Sequence, residues 1–229
     1  LPKTQEKKLK ALIFMTEISL ALALEDILLV AFFAVGLFFV GKMILSECGI
    51  CGKLAFFGGF LVALGGFLKV SWKLLIALFQ TDVAPFNNLL FAFQTAGFIC
   101  LAWALWRSRK ENNPTIFWLV PVLLITFILS FAVYFAFVKE TRTWFFILLG
   151  ATVIFNLAFS FQLILHAFQN KIRLAVGLFI LNLICIFTLA SIGDQTVTLQ
   201  WVKQIIGTIS QGSFALAAWL LYRSNNGLK

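Results

Sequence analysis

Seven stretches of mostly apolar residues follow one another along the chain, at about 20–45, 54–79, 86–106, 115–138, 143–168, 172–192 and 200–222. A bilayer-crossing helix needs roughly 20 such residues, so each stretch predicts a transmembrane helix. Transmembrane strands would instead alternate apolar and polar positions over about ten residues. The separators are short and carry charges or helix breakers: Cys48-Gly-Ile-Cys51-Gly-Lys53, Gln80-Thr-Asp82, Arg107 to Pro114, Lys139-Glu-Thr-Arg142, Gln169-Asn-Lys171 and Gly193-Asp194. None has the length of a soluble domain. Leu9 to Leu24 is also apolar but contains Glu17, which fits either an interfacial helix or the first turns of one long tilted helix. The expected class is all-α, a polytopic helical membrane protein with about seven spans.

Polar positions inside these runs carry the functional information. In the seventh span, Gln200, Lys203, Gln204, Thr208 and Gln211 recur at steps of three and four, which puts them on one helical face. A stripe of that kind facing lipid would cost several kcal/mol per unsatisfied group, so it should face protein, water or a ligand. Other polar groups join it when the spans alternate in direction. Glu25 and Asp26 open the first span, Lys69 and Lys73 close the second, Asp82, Asn87 and Asn88 lead into the third, and Asp194 leads into the seventh. All fall in the same half of the membrane. They predict a vestibule lined by spans one, two, three and seven, in which opposite charges pair. Snorkelling at headgroup level is the competing reading for the lysines. Gln94, Asn156 and Asn182 lie deeper, as interhelical clamps or ligand contacts, because an amide needs partners from elsewhere. Weaker rows are Thr126, Ser130 and Tyr134 in the fourth span, and Ser160 then Gln162, His166 and Gln169 in the fifth. Pro121 is expected to kink the fourth span.

The chain also resembles itself. Ala102-Trp-Ala-Leu-Trp-Arg-Ser108 closes the third span and Ala218-Trp-Leu-Leu-Tyr-Arg-Ser224 the seventh, a shift of 116 residues that also pairs Gly97-Phe98 with Ser213-Phe214. The implied plan is a parallel 3+1+3 internal repeat. Residues 1–19 form a basic, interfacial segment, 20–106 the first three-helix unit, 107–142 a linker helix with its loops, and 143–229 the second unit. In layout alone this resembles the SWEET and PQ-loop carriers; the Pro-Gln motif of that family is absent from both triplets.

Composition agrees with the pattern. The chain is 62% hydrophobic and 12% charged, against about half and a quarter for soluble domains. The net charge of +9 sits in short gaps between apolar runs, where it anchors helices to headgroups, and no nucleic-acid-binding pattern accompanies it. Leu1 to Lys10 has the charge of a signal n-region, but no small-residue cleavage site follows, so the first span is read as retained. Lys and Arg divide evenly between the two faces. Discounting Lys69, Lys73 and Lys203, which lie at span edges, favours an outside N-terminus and a cytoplasmic C-terminus.

Chemistry is sparse. The single histidine, His166, excludes multi-histidine zinc sites, and no nucleophile-elbow or His-Glu-Xaa-Xaa-His motif occurs. No catalytic residue, metal or cofactor is expected. Two of the four cysteines lie mid-span, so a disulfide framework is not expected. Cys48-Gly-Ile-Cys51 is a candidate redox pair able to exchange with a partner dithiol or a quinone. Three functions stay open. The first is a transporter or channel for a small polar or anionic solute, using Glu25, Asp26, Lys69, Lys73, Asn87, Asn88, Gln94, Gln200, Lys203, Gln204, Thr208 and Gln211. The second is a receptor-like or accessory subunit with a membrane partner. The third is an intramembrane redox or lipid enzyme using Cys48 and Cys51.

Overall fold

The computed structural model describes residues 20–109, 118–193, 197–225 and 227. The readings made for 1–19 and Asp194 lie outside the described residues. Among the described residues, seven helices are long and apolar enough to span a membrane. They are α1 (Leu20–Glu47), α2 (Gly49–Phe79), α3 (Ala84–Ser108), α4 (Leu119–Val133, continuing as a π-helical turn over Tyr134–Val138), α5 (Thr143–Gln169), α6 (Arg173–Ser191) and α7 (Val197–Asn225).

Six of them form a ring in the order α1, α2, α3, α5, α6, α7, closed by α7 packing along α1. Contacts at both ends show that α3 and α5 run parallel, as do α7 and α1. The fourth helix lies outside the ring against α5 and, more lightly, α3. Its surface is mostly exposed and apolar, with only Pro121 and Ala132 buried. Phe127 and Phe137 are 69% and 78% exposed, as is Phe168 of α5 at 71%. Such faces suit lipid rather than water.

The α1–α2 connection is tighter than the separator Cys48 to Lys53 suggested. Only Cys48 leaves helical geometry, and α2 begins at Gly49 rather than near residue 54. Cys48 caps α2 in an extended conformation, its sulfur receiving the Cys51 N–H. Gly52 makes the hairpin feasible, because a Cβ there would stand 2.5 Å from the Leu45 Cα. The glycine pairs of α2 serve two helices rather than one. Gly58 and Gly65 face α3, where added Cβ atoms would meet the Gly97 and Leu90 carbonyls at 2.7 and 3.1 Å. Gly59 and Gly66 face Leu37 and Val30 of α1. This is small-residue packing of the kind that brings helices together in lipid.

At the α3–α5 seam, Thr95 Oγ1 donates to the Leu148 carbonyl at 3.1 Å and lies 2.9 Å from Thr152 Oγ1. Pro121 does not bend α4 mid-span. It falls in the first turn, where its missing N–H would have had no intrahelical partner. The hydrophobic core fills one half of the bundle: Val40, Met43 and Ile44 of α1, Leu54 and Ala55 of α2, Leu101 and Leu105 of α3, Leu163 and Ala167 of α5, and Ala217 and Leu221 of α7. The other half encloses a cavity with polar walls.

Candidate functional site

The seventh helix carries its polar stripe as two adjacent rows. Gln204 and Thr208 turn toward α1, while Lys203, Gly207 and Gln211 face a cavity. The first row meets the carboxylates that open α1. Gln204 Nε2 donates to Asp26 Oδ1 at 2.7 Å, and Thr208 Oγ1 donates to Glu25 Oε1 at 3.4 Å. Asp26 also pairs with Lys73 of α2, both side chains being partly buried. A partly shielded ion pair of this kind survives because the amide bond and the opposite charge replace lost hydration.

The cavity has a volume of about 320 Å³. Each of the six ring helices contributes at least one polar side chain to its wall: Asp26 from α1, Lys69 from α2, Gln94 from α3, Thr152, Asn156 and Ser160 from α5, Asn182 from α6, and Lys203 and Gln211 from α7. Lys69 forms no hydrogen bond or ion pair among the described residues, although Asp26 and Lys73 are close enough to act on its charge. The Oε1 atom of Gln211 is buried without a hydrogen-bond partner among the described residues. Asn182 is both wall and clamp, its Nδ2 donating to the Ser210 carbonyl at 2.9 Å and lying 2.8 Å from the Ser210 hydroxyl.

Toward the packed half of the bundle the wall is aromatic. Phe33, Phe98, Phe159 and Phe214 line the cavity, with Phe179 against Phe214 from behind. Ring centroids are 5.2 Å apart for Phe33–Phe214, 6.2 Å for Phe33–Phe98 and 6.3 Å for Phe98–Phe159. These separations are those of tilted aromatic contacts. The rings form a floor between the cavity and the apolar core.

Of the residues singled out from sequence, Asp26, Lys69, Gln94, Lys203 and Gln211 line the cavity, and Glu25, Lys73, Gln204 and Thr208 form the charged and polar cluster beside it. Gln200, Asn87 and Asn88 stand apart from the cavity wall, Asn88 being exposed. The aromatic floor and Thr152 escaped the sequence reading. With 28 phenylalanines in the chain, no local signal separates four floor residues from those facing lipid.

A second polar cluster lies at the opposite end of the bundle. Glu47 of α1 is 3.2 Å from His166 Nε2 of α5 and accepts from Asn225 Nδ2 of α7 at 2.9 Å. Nearby, Arg109 donates to the Gln162 carbonyl at 2.8 Å. Cys48 and Cys51 are joined in a disulfide at this end, with Cys51 buried. Cys100 and Cys185 are free and buried. No group of three metal-ligating side chains occurs among the described residues.

No protein-family model, curated protein or solved structure significantly matches this chain.

Proposed function

We propose that this protein is a membrane carrier that holds a small polar solute or ion in the cavity inside the helix ring. One observation carries the reading: all six ring helices direct polar side chains into a single cavity at the depth of the spans. Ionisable groups at membrane depth, here Asp26, Lys69 and Lys203, are costly and mark solute or ion pathways. The aromatic floor and the apolar packing behind it fit a binding site closed toward one face of the membrane.

The parallel 3+1+3 repeat supports the same reading. Exchanging α1–α3 with α5–α7 maps the ring order onto itself, including its two parallel seams. Phe98 and Phe214, which the 116-residue shift pairs, both stand in the floor. Carriers built from repeats place their site between the repeats and alternate access by rocking one against the other.

Two experiments test the proposal. In a variant lacking the native cysteines, an impermeant thiol reagent is expected to label cysteines placed at 203, 207 and 211 but not at 205 and 209, which face outward. Uniform protection at the three inner positions would mean a sealed, side-chain-filled interior. In proteoliposomes, Lys203→Ala and Gln211→Ala are expected to abolish uptake of the solute that the intact protein carries. Unchanged flux in both variants, properly folded, would remove the carrier reading.

A specific observation favours an accessory-subunit reading as the alternative. The row Thr126, Ser130 and Tyr134 lies exposed on the outer face of the peripheral α4. A partner helix hydrogen-bonded there would co-purify in mild detergent, and Ser130→Leu would release it.

A further inference from the structure

We propose that the ligand of the central cavity is a small organic monoanion, a carboxylate on a compact apolar or aromatic body, held with its charge at Lys69 and its body on the phenylalanine floor. This rests on the carrier reading only for the site's location. The cavity is polarised along its length. Among the described residues, one end is charged: Lys69 and Lys203 line it with Asp26, and Lys73 and Glu25 stand beside them. Asp26 is taken up by Lys73 and Gln204, and Glu25 is turned toward Thr208, so neither neutralises Lys69 by direct contact. An ammonium at this depth without a bonded partner favours an anion.

The far end has the opposite character. Asp26 and Phe33 are seven residues apart on α1, a rise of about 10 Å, which is the depth between the charged end and the floor. A bare inorganic anion at Lys69 would leave the floor rings unused. A carboxylate with a phenyl-sized body reaches both. Size sets the upper limit. The cavity's 320 Å³ is at the small end of the roughly 300–1,000 Å³ range of ligand pockets, so a long acyl chain does not fit.

The probe is radiolabelled benzoate, with the full-length protein in lipid nanodiscs. Saturable benzoate binding is expected, with neutral benzamide, the same shape without the charge, at least about tenfold weaker. Lys69→Met is expected to weaken benzoate by about tenfold or more while leaving benzamide unchanged, and Lys69→Arg to retain benzoate within a few-fold. Both variants are checked for monodispersity, so that loss of binding is not loss of fold. Equal binding of benzamide, or undiminished benzoate binding by a folded Lys69→Met variant, would overturn the proposal. So would the absence of saturable binding by the intact protein. Displacement of benzoate by chloride at comparable concentration would make this an inorganic-anion site, and displacement by palmitate a lipid site; either result overturns it too. Flux separates the two levels of inference. Benzoate binding without uptake in proteoliposomes sinks the carrier but keeps the ligand class. Uptake of a neutral solute without benzoate binding does the reverse.

Discussion

Individual polar residues in this protein are placed by the cost of leaving them unpaired. Asn182 is buried, and its amide is satisfied by Ser210 one helix away. Asn182→Ala is expected to destabilise the bundle by about 1 kcal/mol, the usual size of an interhelical hydrogen bond in membranes. Reversible unfolding in mixed micelles reads this value, and a loss below the resolution of that measurement would mean that Asn182 is wall rather than clamp. Asp26 and Lys73 allow a sharper comparison. Lys73→Met strands a carboxylate that still faces Gln204, whereas Lys73→Met combined with Asp26→Asn removes the charge altogether. The double variant is therefore expected to be more stable than the single one. The reverse order would show that Asp26 is satisfied without Lys73. At this scale much was legible: an amide or charge within an apolar run announces that it needs a partner. Which partner it takes was not legible. Gln204 and Thr208 sit on the stripe with Lys203 and Gln211, yet they serve the α1 carboxylates rather than the cavity.

At the scale of helices, glycine placement decides which pairs approach closely. A Cβ at Gly58 would lie 2.7 Å from the Gly97 carbonyl oxygen, and one at Gly97 would lie 2.4 Å from Val62 Cγ2. Gly58→Val and Gly97→Val are expected to destabilise by about 1–3 kcal/mol through overpacking. Gly150→Ala and Gly177→Ala, where an added Cβ meets nothing within 4 Å, should be neutral or slightly stabilising. Thermal unfolding of the four variants side by side checks this; equal losses at all four would refute a packing role specific to the α2–α3 contact. Seven helices and their approximate limits could be read from hydropathy because the bilayer imposes length on every span. The start of α2 could not. Five residues that look like a loop become helix once Cys48 caps them and Gly52 lets α1 approach.

The molecule as a whole joins a packed half to a hollow half, with the aromatic floor between them. Replacing Phe98 and Phe214, both buried in the core cluster, one at a time by alanine should cost about 3–5 kcal/mol each. A loss under about 1 kcal/mol at both in reversible unfolding would mean that the floor is not part of the packed core. The disulfide bears on orientation. Charge counting puts the Cys48 end in the cytoplasm, but a persistent Cys48–Cys51 bond needs an oxidising compartment. Alkylation of intact cells before lysis is expected to leave both cysteines unlabelled until reduction, which would put that end outside and reverse the orientation drawn from charge. Immediate labelling of both would keep it cytoplasmic.

Hydrophobic length, helical periodicity and the expense of buried polar groups are local properties of the chain. From them alone follow a seven-helix apolar architecture, a polar seventh helix and the grouping of Asp26, Lys69 and Lys203 in one half of the membrane. The order of helices in the ring, the exclusion of α4 and the choice of four phenylalanines for a floor are not local. They depend on which small residues meet across a seam and which side chains are left facing the space between. Only the packed tertiary structure decides those, because in lipid every apolar face is equally content until close packing separates one arrangement from another.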